Sequence, residues 1–206
     1  MTLGVVTGLA AERRLAQPLG LVRAGGGLPE GALAAAEWLV EQGVDGLVSF
    51  GLAGGLDPGL RPGDMVVPEW VRDGDRTYAT AYELSTRLGL RRGILLAGRA
   101  VVATAIEKAK LFAQTGAAAM DLESGAVGRV AARHAIPFAA LRAICDPAGR
   151  DLPPASLAAL DRHGRVAILS VLASIARHPR QLPSLVALSR DAFIAHAALK
   201  RRVSTL

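Results

Sequence analysis

The sequence predicts a three-layer α/β/α fold built around a central mixed, largely parallel sheet. Short apolar runs of β type alternate along the chain with Ala-rich stretches of helical type, which is the pattern of a layered α/β domain. Apolar residues make up 51% of the 206 residues and aromatic residues only 4%, so the core must consist mainly of Ala, Val, Leu and Ile. This length suits one domain, which we expect to span residues 1–206.

The elements follow from this alternation in chain order. Each predicted strand is a short apolar run, over residues 3–7, 46–50, 64–67, 93–96, 117–120 and 138–144. The predicted helices cover residues 29–42, 105–114, 123–134, 164–178 and 182–200. A breaker segment rich in Pro and Gly, residues 146–154, separates the final strand from the last two helices. We therefore expect a helical C-terminal extension at about residues 161–206.

Composition excludes several classes of protein. An apolar content of 51% rules out disorder of the whole chain. The longest apolar stretch near the C-terminus, residues 166–176, is interrupted by Ser170 and Ser174 and is shorter than the roughly 18 to 20 residues of a membrane-spanning helix. The single cysteine, Cys145, has no partner for an intrachain disulfide, and no basic stretch precedes the short apolar run at the N-terminus. A cytoplasmic protein is the prediction.

Charge is concentrated in the predicted extension. Residues 1–160 carry 16 basic and 16 acidic residues, whereas residues 161–206 carry 8 basic and 2 acidic ones. The extension lacks the interleaved aromatic residues that stack on bases, so an anionic membrane surface is favoured over nucleic acid. Leu182, Leu185, Val186, Phe193 and Leu199 would supply its apolar contacts. The alternative is a pair of helices with a solvated basic face that pack on the domain or on a second subunit.

The densest Gly-rich segment is SFGLAGGLDPGLRPGDMVVP, residues 49–68, which joins two predicted strands. Glycines let the backbone approach a ligand and point its N–H groups toward it. The segment matches neither the dinucleotide fingerprint, because Ala53 replaces the second Gly, nor a P-loop. A ligand loop and a tight turn are equally compatible with these residues alone.

Acidic residues follow three predicted strands at their carboxyl ends. Glu12 follows the first strand, Asp121 and Glu123 follow the run AAAM, and Asp146 ends the run LRAICD. Carboxyl ends of strands are the usual ligand-binding edge of an open α/β sheet, although Asp121 and Glu123 could equally cap the next helix. Converging acids suit cleavage of a glycosidic bond, since one protonates the leaving group, one binds sugar hydroxyls and one orients water.

Metal and thiol chemistry are less well suited to this chain. The four histidines have no HExxH spacing, and Cys145 has no second Cys with which to form a zinc site. His134 lies at a predicted helix end, where it would interact with the helix dipole. Cys145 has no His nearby in sequence and is expected to be a small strand residue. We predict no metal and no cofactor, with phosphate as a candidate co-substrate.

Several ordered motifs together resemble the nucleoside phosphorylase/nucleosidase superfamily, over residues 1 to about 150. They are GVVTGLAAE (4–12), the 25–27 glycine turn, GLAGGLDPGLRPGD (51–64), KAKLFAQTGAAAMDLE (108–123) and RAICD (142–146). The chain is most similar to the branch that contains methylthioadenosine/S-adenosylhomocysteine nucleosidases and the hopanoid-associated phosphorylases. DPAGRDLPPASL and RHPRQLPSLVALSRDA resemble the hopanoid-associated members, whose substrate is adenosylhopane. The resemblance implies a phosphorylase/hydrolase-like fold.

The resemblance also implies roles for individual residues. Asp146 matches the acid that protonates or hydrogen-bonds N7 of the departing purine, Glu123 the carboxylate that holds the ribose hydroxyls, and Glu12 the acid that positions water in the nucleosidases. These three form the predicted catalytic set. The predicted substrate-binding set comprises a loop bordering the ribose and the nucleophile, the pair lining the base, and neighbours of the acids: Gly51, Leu52, Ala53, Gly54, Val101, Val102, Met120, Asp121, Leu122 and Cys145.

Two positions depart from the nucleosidase pattern. Leu52 stands where the nucleosidases carry Ser, and Val101 stands where they carry Phe, so a hydroxyl and a stacking surface are both missing. Aromatic stacking contributes roughly 1 kcal/mol beyond burial, so adenine should be held less tightly. A short segment, residues 69–92, also leaves less chain to cover the site. Both differences fit a nucleoside whose lipid tail supplies binding energy.

The predicted activity is cleavage of the N-glycosidic bond of an adenine nucleoside, with adenosylhopane as the preferred substrate and adenine as one product. Glu12 favours water as the nucleophile, whereas the name of the hopanoid-associated phosphorylases favours phosphate. The alternatives are a methylthioadenosine/S-adenosylhomocysteine nucleosidase and a non-catalytic nucleoside-binding or membrane-adaptor protein. The expected partners are an adenine nucleoside with a lipid tail and an anionic membrane contacted by residues 161–206, with no nucleic acid. We also expect a homodimer, and a peripheral position at the inner face of the membrane.

Overall fold

The structure, a computed structural model, describes residues 2–157, 174 and 177–206. Its strands are β1 (Leu3–Thr7), β2 (Leu21–Ala24), β3 (Gly46–Gly55), β4 (Met65–Val66), β5 (Trp70–Asp73), β6 (Arg76–Ala79), β7 (Ile94–Ala97), β8 (Ala119–Asp121) and β9 (Phe138–Asp146). Its helices are α1 (Ala10–Ala16), α2 (Pro29–Glu41), α3 (Tyr82–Leu88), α4 (Ala105–Thr115), α5 (Ser124–Arg133), α6 (Pro154–Leu157) and α7 (Leu182–Val203).

The strands form one mixed sheet, largely parallel. Its order is β2-β1-β3-β8-β7-β5-β6, and β9 pairs with β3 and β4. The central strand β3 lies parallel to β1, with Leu3 opposite Gly46, and parallel to β9, with Leu47 opposite Phe138. Antiparallel pairing occurs between β3 and β8, β4 and β9, and β5 and β6. The predicted fold class is confirmed.

Helices cover both faces of the sheet, which gives the three layers. Successive residues of a strand point to opposite faces, so Val5 packs with α1, α3 and α7 while Val6 packs with α2 and α5. In β3, Leu47 packs on the same face as Val6, and Val48 packs on the same face as Val5. Strands buried on both faces appear as continuous apolar runs rather than as alternating ones, which is why β1, β3 and β9 are recognisable in the sequence.

Six of the described elements were not predicted: α1, β2, β5, β6, α3 and α6. The hairpin formed by β5 and β6 lies at one end of the sheet and contains exposed polar residues such as Arg72 and Arg76, so no apolar run marks it. The prediction of a loop at residues 51–54 was wrong, because β3 continues to Gly55. Gly51 and Gly54 stay paired with β9, opposite Arg142 and Asp146.

The last helix is part of the core. The predicted helix over residues 182–200 is α7, and Ala195, Leu199 and Val203 on its inner face pack with residues of β1, β3 and β9. Leu199 is fully buried, so its predicted contact with a membrane was wrong. Most of the helix predicted over residues 164–178 lies outside the described residues. None of the helices in the described ranges is both long and apolar enough to cross a membrane.

Candidate active site

A cavity of about 280 Å³ lies at the carboxyl ends of β1, β3, β8 and β9. Of the thirteen residues predicted for the site, all but Gly51 line it. The lining thus includes Glu12, Leu52, Ala53, Gly54, Val101, Val102, Met120, Asp121, Leu122, Glu123, Cys145 and Asp146. Gly8, Leu9, Lys108, Leu152, Ser156 and Leu188 also line it and were not predicted.

Glu12 lies in the first turn of α1 and is almost completely buried. Its Oε2 accepts hydrogen bonds from the backbone N–H groups of Gly8 (3.0 Å) and Leu9 (2.8 Å), and its Oε1 accepts one from Leu52 N–H (3.0 Å). Burial raises the pKa of Glu12 above its ordinary value, against the opposing effect of the Leu9 hydrogen bond and the positive charge of Arg142. The carboxylate therefore fills a cradle of backbone donors between β1 and β3.

Asp146 ends β9 and is buried beside the ammonium group of Lys108. The distance from Lys108 Nζ to Asp146 Oδ2 is 2.7 Å, and the same Nζ donates to the carbonyl oxygens of Pro147 and Arg150. Burial raises the pKa of the Asp146 carboxyl, while the hydrogen bond from Lys108 lowers it by a smaller amount. Oδ1 of Asp146 is buried and accepts no hydrogen bond from the described residues. One carboxyl oxygen is thus held and the other is free.

Glu123 is placed by a buried arginine. Arg142 Nη1 lies 3.4 Å from Glu123 Oε2, while Glu123 Oε1 is buried and has no hydrogen-bond partner among the described residues. Burial raises the pKa of Glu123 to about 7, with the Arg142 charge opposing the rise and the Glu12 and Asp121 charges adding to it. As in Asp146, one oxygen is positioned by a cation and the other can accept a hydrogen bond from a ligand.

Asp121 has a structural role as well as a place in the cavity wall. Its Oδ2 pairs with Arg142 Nη2 at 2.5 Å, and the same carboxylate accepts hydrogen bonds from Ser124 N–H and Ser124 Oγ–H. The helix-capping interaction that the sequence left open is therefore present at Asp121, at the start of α5. Ser49 of β3 accepts another hydrogen bond from Arg142 and completes this buried network.

At two positions only glycine leaves room for the buried carboxylates. A Cβ at Gly8 would lie 2.8 Å from Glu123 Oε2, so a side chain there would displace the Glu123 carboxylate. Gly51 has φ +152°, and a Cβ there would lie 2.7 Å from Glu12 Oε1. Gly51 lies behind Glu12 rather than at the cavity surface, so its contribution to the site is close backbone approach and not contact with a ligand.

Most of the remaining wall is apolar. Leu52, Val102, Met120 and Leu122 line it, and Val101 is 51% exposed at its edge. Burial raises the pKa of the Cys145 thiol to about 12, so the thiol stays protonated at neutral pH and donates weakly to the Ala53 carbonyl at 3.6 Å. The prediction that Cys145 is a small strand residue agrees with its position in β9.

Three important residues were missed. Arg142 carries a signal, because it is a charged residue inside the otherwise apolar run of β9. Lys108 lies two residues before Lys110 in an amphipathic helix, and nothing local distinguishes the buried lysine from the exposed one. Leu188 reaches the cavity from α7, which only the tertiary structure places there. Among the described residues, no group of three or more His, Cys, Asp or Glu is arranged to hold a metal ion.

A model of the phosphorylase superfamily matches residues 6–87 and 79–175 of the chain, which together include Glu12, Lys108, Glu123 and Asp146. The chain belongs to the phosphorylase superfamily. Membership confirms the resemblance at the level of the superfamily. It also confirms that this is an enzyme of the phosphorylase and nucleosidase class.

The same fold occurs in solved structures that match most or all of the length of this chain. A 5′-methylthioadenosine/S-adenosylhomocysteine nucleosidase from Helicobacter pylori matches with a TM-score of 0.70 at 16% identity, covering 100% of this chain and 99% of that one. A futalosine hydrolase from the same organism gives 0.70 at 16% identity, covering 100% and 98%. A nucleosidase from Colwellia psychrerythraea in complex with adenine gives 0.66 at 19% identity, covering 84% and 95%. At these identities the likeness establishes the fold.

Proposed function

We propose that this enzyme hydrolyses the N-glycosidic bond of an adenine nucleoside with a large apolar substituent on its ribose, and that adenosylhopane is its substrate. The observation that carries the proposal is the placement of three buried carboxyl groups around one apolar cavity, each in a different environment. Superfamily membership and the names of the nucleosidases with the same fold support the reaction class.

Asp146 is suited to act on the leaving base. Burial raises its pKa, so a larger fraction of the carboxyl carries a proton than at an exposed aspartate. Lys108 occupies Oδ2, which leaves Oδ1 as the oxygen available to the purine N7. Donating a proton or a strong hydrogen bond to N7 removes negative charge from the departing adenine, which is general acid catalysis.

Glu123 is suited to bind the sugar. Its Oε1 is unoccupied by any described residue, and an ionised carboxylate accepts hydrogen bonds from ribose hydroxyls. A negative charge beside the ribose also stabilises an oxocarbenium-like transition state electrostatically. Arg142 fixes the other oxygen, so little reorganisation is needed when the substrate binds.

Glu12 favours water over phosphate as the nucleophile. The backbone N–H groups of Gly8, Leu9 and Leu52 form the kind of cradle that binds anions, and the Glu12 carboxylate already accepts all three hydrogen bonds. A phosphate ion would meet a buried negative charge in place of free donors, whereas a water molecule can donate a hydrogen bond to that charge. The raised pKa of Glu12 makes it a better acceptor of the proton that water loses.

The apolar wall supports a substrate with a lipid substituent. Leu52 and Val101 present aliphatic surface where the resembling nucleosidases have a hydroxyl and an aromatic ring, and Val101 is exposed at the cavity edge. Burial of a polycyclic tail against such surface contributes roughly 25 cal/mol per Å² of apolar area. A methylthioadenosine/S-adenosylhomocysteine nucleosidase is the second candidate, favoured by the fold match over the full chain.

The test measures adenine release from adenosylhopane in detergent micelles and from methylthioadenosine, each with and without phosphate. We expect faster release from adenosylhopane and no dependence on phosphate. A requirement for phosphate would replace hydrolysis with phosphorolysis, and preference for methylthioadenosine would select the second candidate. Release from neither nucleoside would overturn both candidate substrates.

Two variants test the assigned acids. Asp146→Asn and Glu12→Gln should each lower kcat by about 10²–10⁴-fold, because each removes a proton-transfer group from the site. The matched controls are Asp75→Asn and Glu41→Gln, which make the same changes at exposed positions. Activity close to wild type in Asp146→Asn, with the circular dichroism spectrum unchanged, would remove Asp146 from the mechanism.

A further inference from the structure

The outer face of α7 is apolar and basic at the same time. Leu182, Val186 and Phe193 are 45%, 68% and 75% exposed, and their spacing of four and seven residues aligns them along one side of the helix. Arg190 and Lys200 are exposed on the same side, and Arg201 lies at its margin. We define the α7 outer face as Leu182, Val186, Arg190, Phe193, Lys200 and Arg201.

No unpaired acidic residue of α7 neutralises the positive charge of the α7 outer face. Asp191 is the only acidic residue of α7, and its Oδ2 is paired with Arg150 Nη2. Immediately before the helix, exposed Arg177 and Arg180 add two more positive charges. From Leu182 to Lys200 the face is about 27 Å long, since an α-helix rises about 1.5 Å per residue. A row of aliphatic and aromatic side chains flanked by cations is the composition that binds the interface of an anionic bilayer.

We propose that the α7 outer face docks the enzyme on an anionic lipid surface. The three exposed apolar side chains enter the headgroup boundary while the arginines and lysines contact lipid phosphates. On the opposite side of the same helix, Leu188 lines the active-site cavity. Docking therefore brings the cavity within about one helix diameter, roughly 10 Å, of the lipid surface.

Self-association is a poorer match for this face. A two-fold symmetric interface apposes a patch with its own copy, so the net-positive outer face of one subunit, with Arg190, Lys200 and Arg201, would meet the equally net-positive outer face of the other. Like charges brought together in an interface are repulsive. The complementary partner is negatively charged, and an anionic bilayer satisfies both the charge and the apolar row.

The test is co-sedimentation of the 206-residue chain with vesicles of phosphatidylcholine alone and of phosphatidylcholine with about 30% phosphatidylglycerol, which makes the surface anionic. We expect binding to the anionic vesicles only, weakened at high salt because the charges are screened. Val186→Glu with Phe193→Glu should lower the partition coefficient by about tenfold or more, since two inserted side chains become negative. Arg190→Glu should lower it several-fold.

Leu90→Glu is the matched control, because Leu90 is an equally exposed leucine outside α7. Adenine release from a water-soluble nucleoside should be unchanged in every variant, since none of these residues lines the cavity. Equal vesicle binding by wild type and the double variant would overturn the proposal. So would a shift from dimer to monomer in the double variant, measured by analytical ultracentrifugation, without any vesicle binding by the wild type.

Docking on lipid determines where the enzyme works, and the acids of the cavity determine which bond it cleaves. Vesicle binding tests the docking proposal and adenine release tests the proposed function. Because the two assays are separate, one proposal can be overturned while the other stands. Deletion of the C-terminal segment is unsuitable as a test, because Ala195 and Leu199 of α7 belong to the core and their loss would destabilise the fold.

Discussion

The pairing of Lys108 with Asp146 determines how the site can work at the scale of single residues. An ammonium group buried without partners would be costly, and Lys108 avoids that cost through three acceptors, namely Asp146 Oδ2 and the carbonyls of Pro147 and Arg150. The same contact fixes which oxygen of Asp146 remains for the substrate. Lys108 is thus a positioning residue that also sets the charge environment of the proposed acid.

Lys108→Met tests this role. Loss of the cation raises the pKa of Asp146 further, because the Lys108 hydrogen bond lowers it in the wild type. Since Asp146 acts in its protonated form, the high-pH limb of the kcat/KM profile should move to higher pH. We also expect a lower kcat from the loss of orientation.

The control for that experiment is Lys110→Met, which removes an exposed lysine from the same helix. A purely structural role for Lys108 predicts a lower melting temperature with the high-pH limb in its wild-type position. That outcome would contradict the assignment of Lys108 to the chemistry of Asp146.

At the scale of elements, α7 joins the core to the surface. Its inner face packs against the sheet through Ala195, Leu199 and Val203, Leu188 reaches the cavity, and its outer face remains exposed. The stability of the fold therefore depends on the inner residues of α7, and the proposed membrane contact depends on its outer residues. This division allows the two roles to be tested by separate substitutions.

Leu199→Ala should lower the free energy of unfolding by about 2–5 kcal/mol, because it removes a fully buried side chain and leaves a cavity. Val186→Ala, at an exposed position of the same helix, should change it by about 0.5 kcal/mol or less. Urea denaturation monitored by circular dichroism measures both. Equal effects of the two substitutions would mean that α7 does not pack as described.

At the scale of the whole molecule, the site reduces stability near neutral pH. Glu12, Glu123 and Asp146 are buried in one region, and burial raises the pKa of each of them. The folded protein therefore holds these protons more tightly than the unfolded chain does. For Glu123, whose pKa is raised from 4.5 to about 7, the stabilising contribution is complete below about pH 4.5 and is lost as the pH rises through about 7.

The free energy of unfolding should accordingly fall between pH 5 and pH 8, with Glu123 contributing up to about 3 kcal/mol of the loss. Glu123→Gln should flatten this dependence and make the protein more stable than wild type at pH 8, because it removes a desolvated charge. Glu41→Gln, at an exposed position, is the control and should follow the wild-type curve. An unchanged slope in Glu123→Gln would show that Glu123 does not titrate in this range.

Much of this organisation is encoded locally. Apolar runs predicted β1, β3 and β9, Ala-rich stretches predicted α2, α4 and α5, and acids placed just after strands predicted the edge at which the cavity lies. The motifs of the nucleoside phosphorylases and nucleosidases predicted the superfamily and twelve of the cavity-lining residues. These features can be predicted from the sequence because they are local. The periodicity of a strand or helix and the spacing of a motif involve only residues close together in the chain.

Other features depend on contacts between residues far apart in the chain. Lys108 meets Asp146 across 38 positions, and Arg142 meets Glu123 across 19. Only the topology of the sheet brings these pairs together. Gly51 looked like part of a ligand loop, but pairing with β9 makes it strand and places it behind Glu12. Burial of Leu199 likewise separates the inner from the outer face of α7, a division that net charge by itself does not reveal. The sequence determined which chemical groups the protein has near its site, and the tertiary structure decided which of them share a proton, a charge or a cavity, because those interactions act through space rather than along the chain.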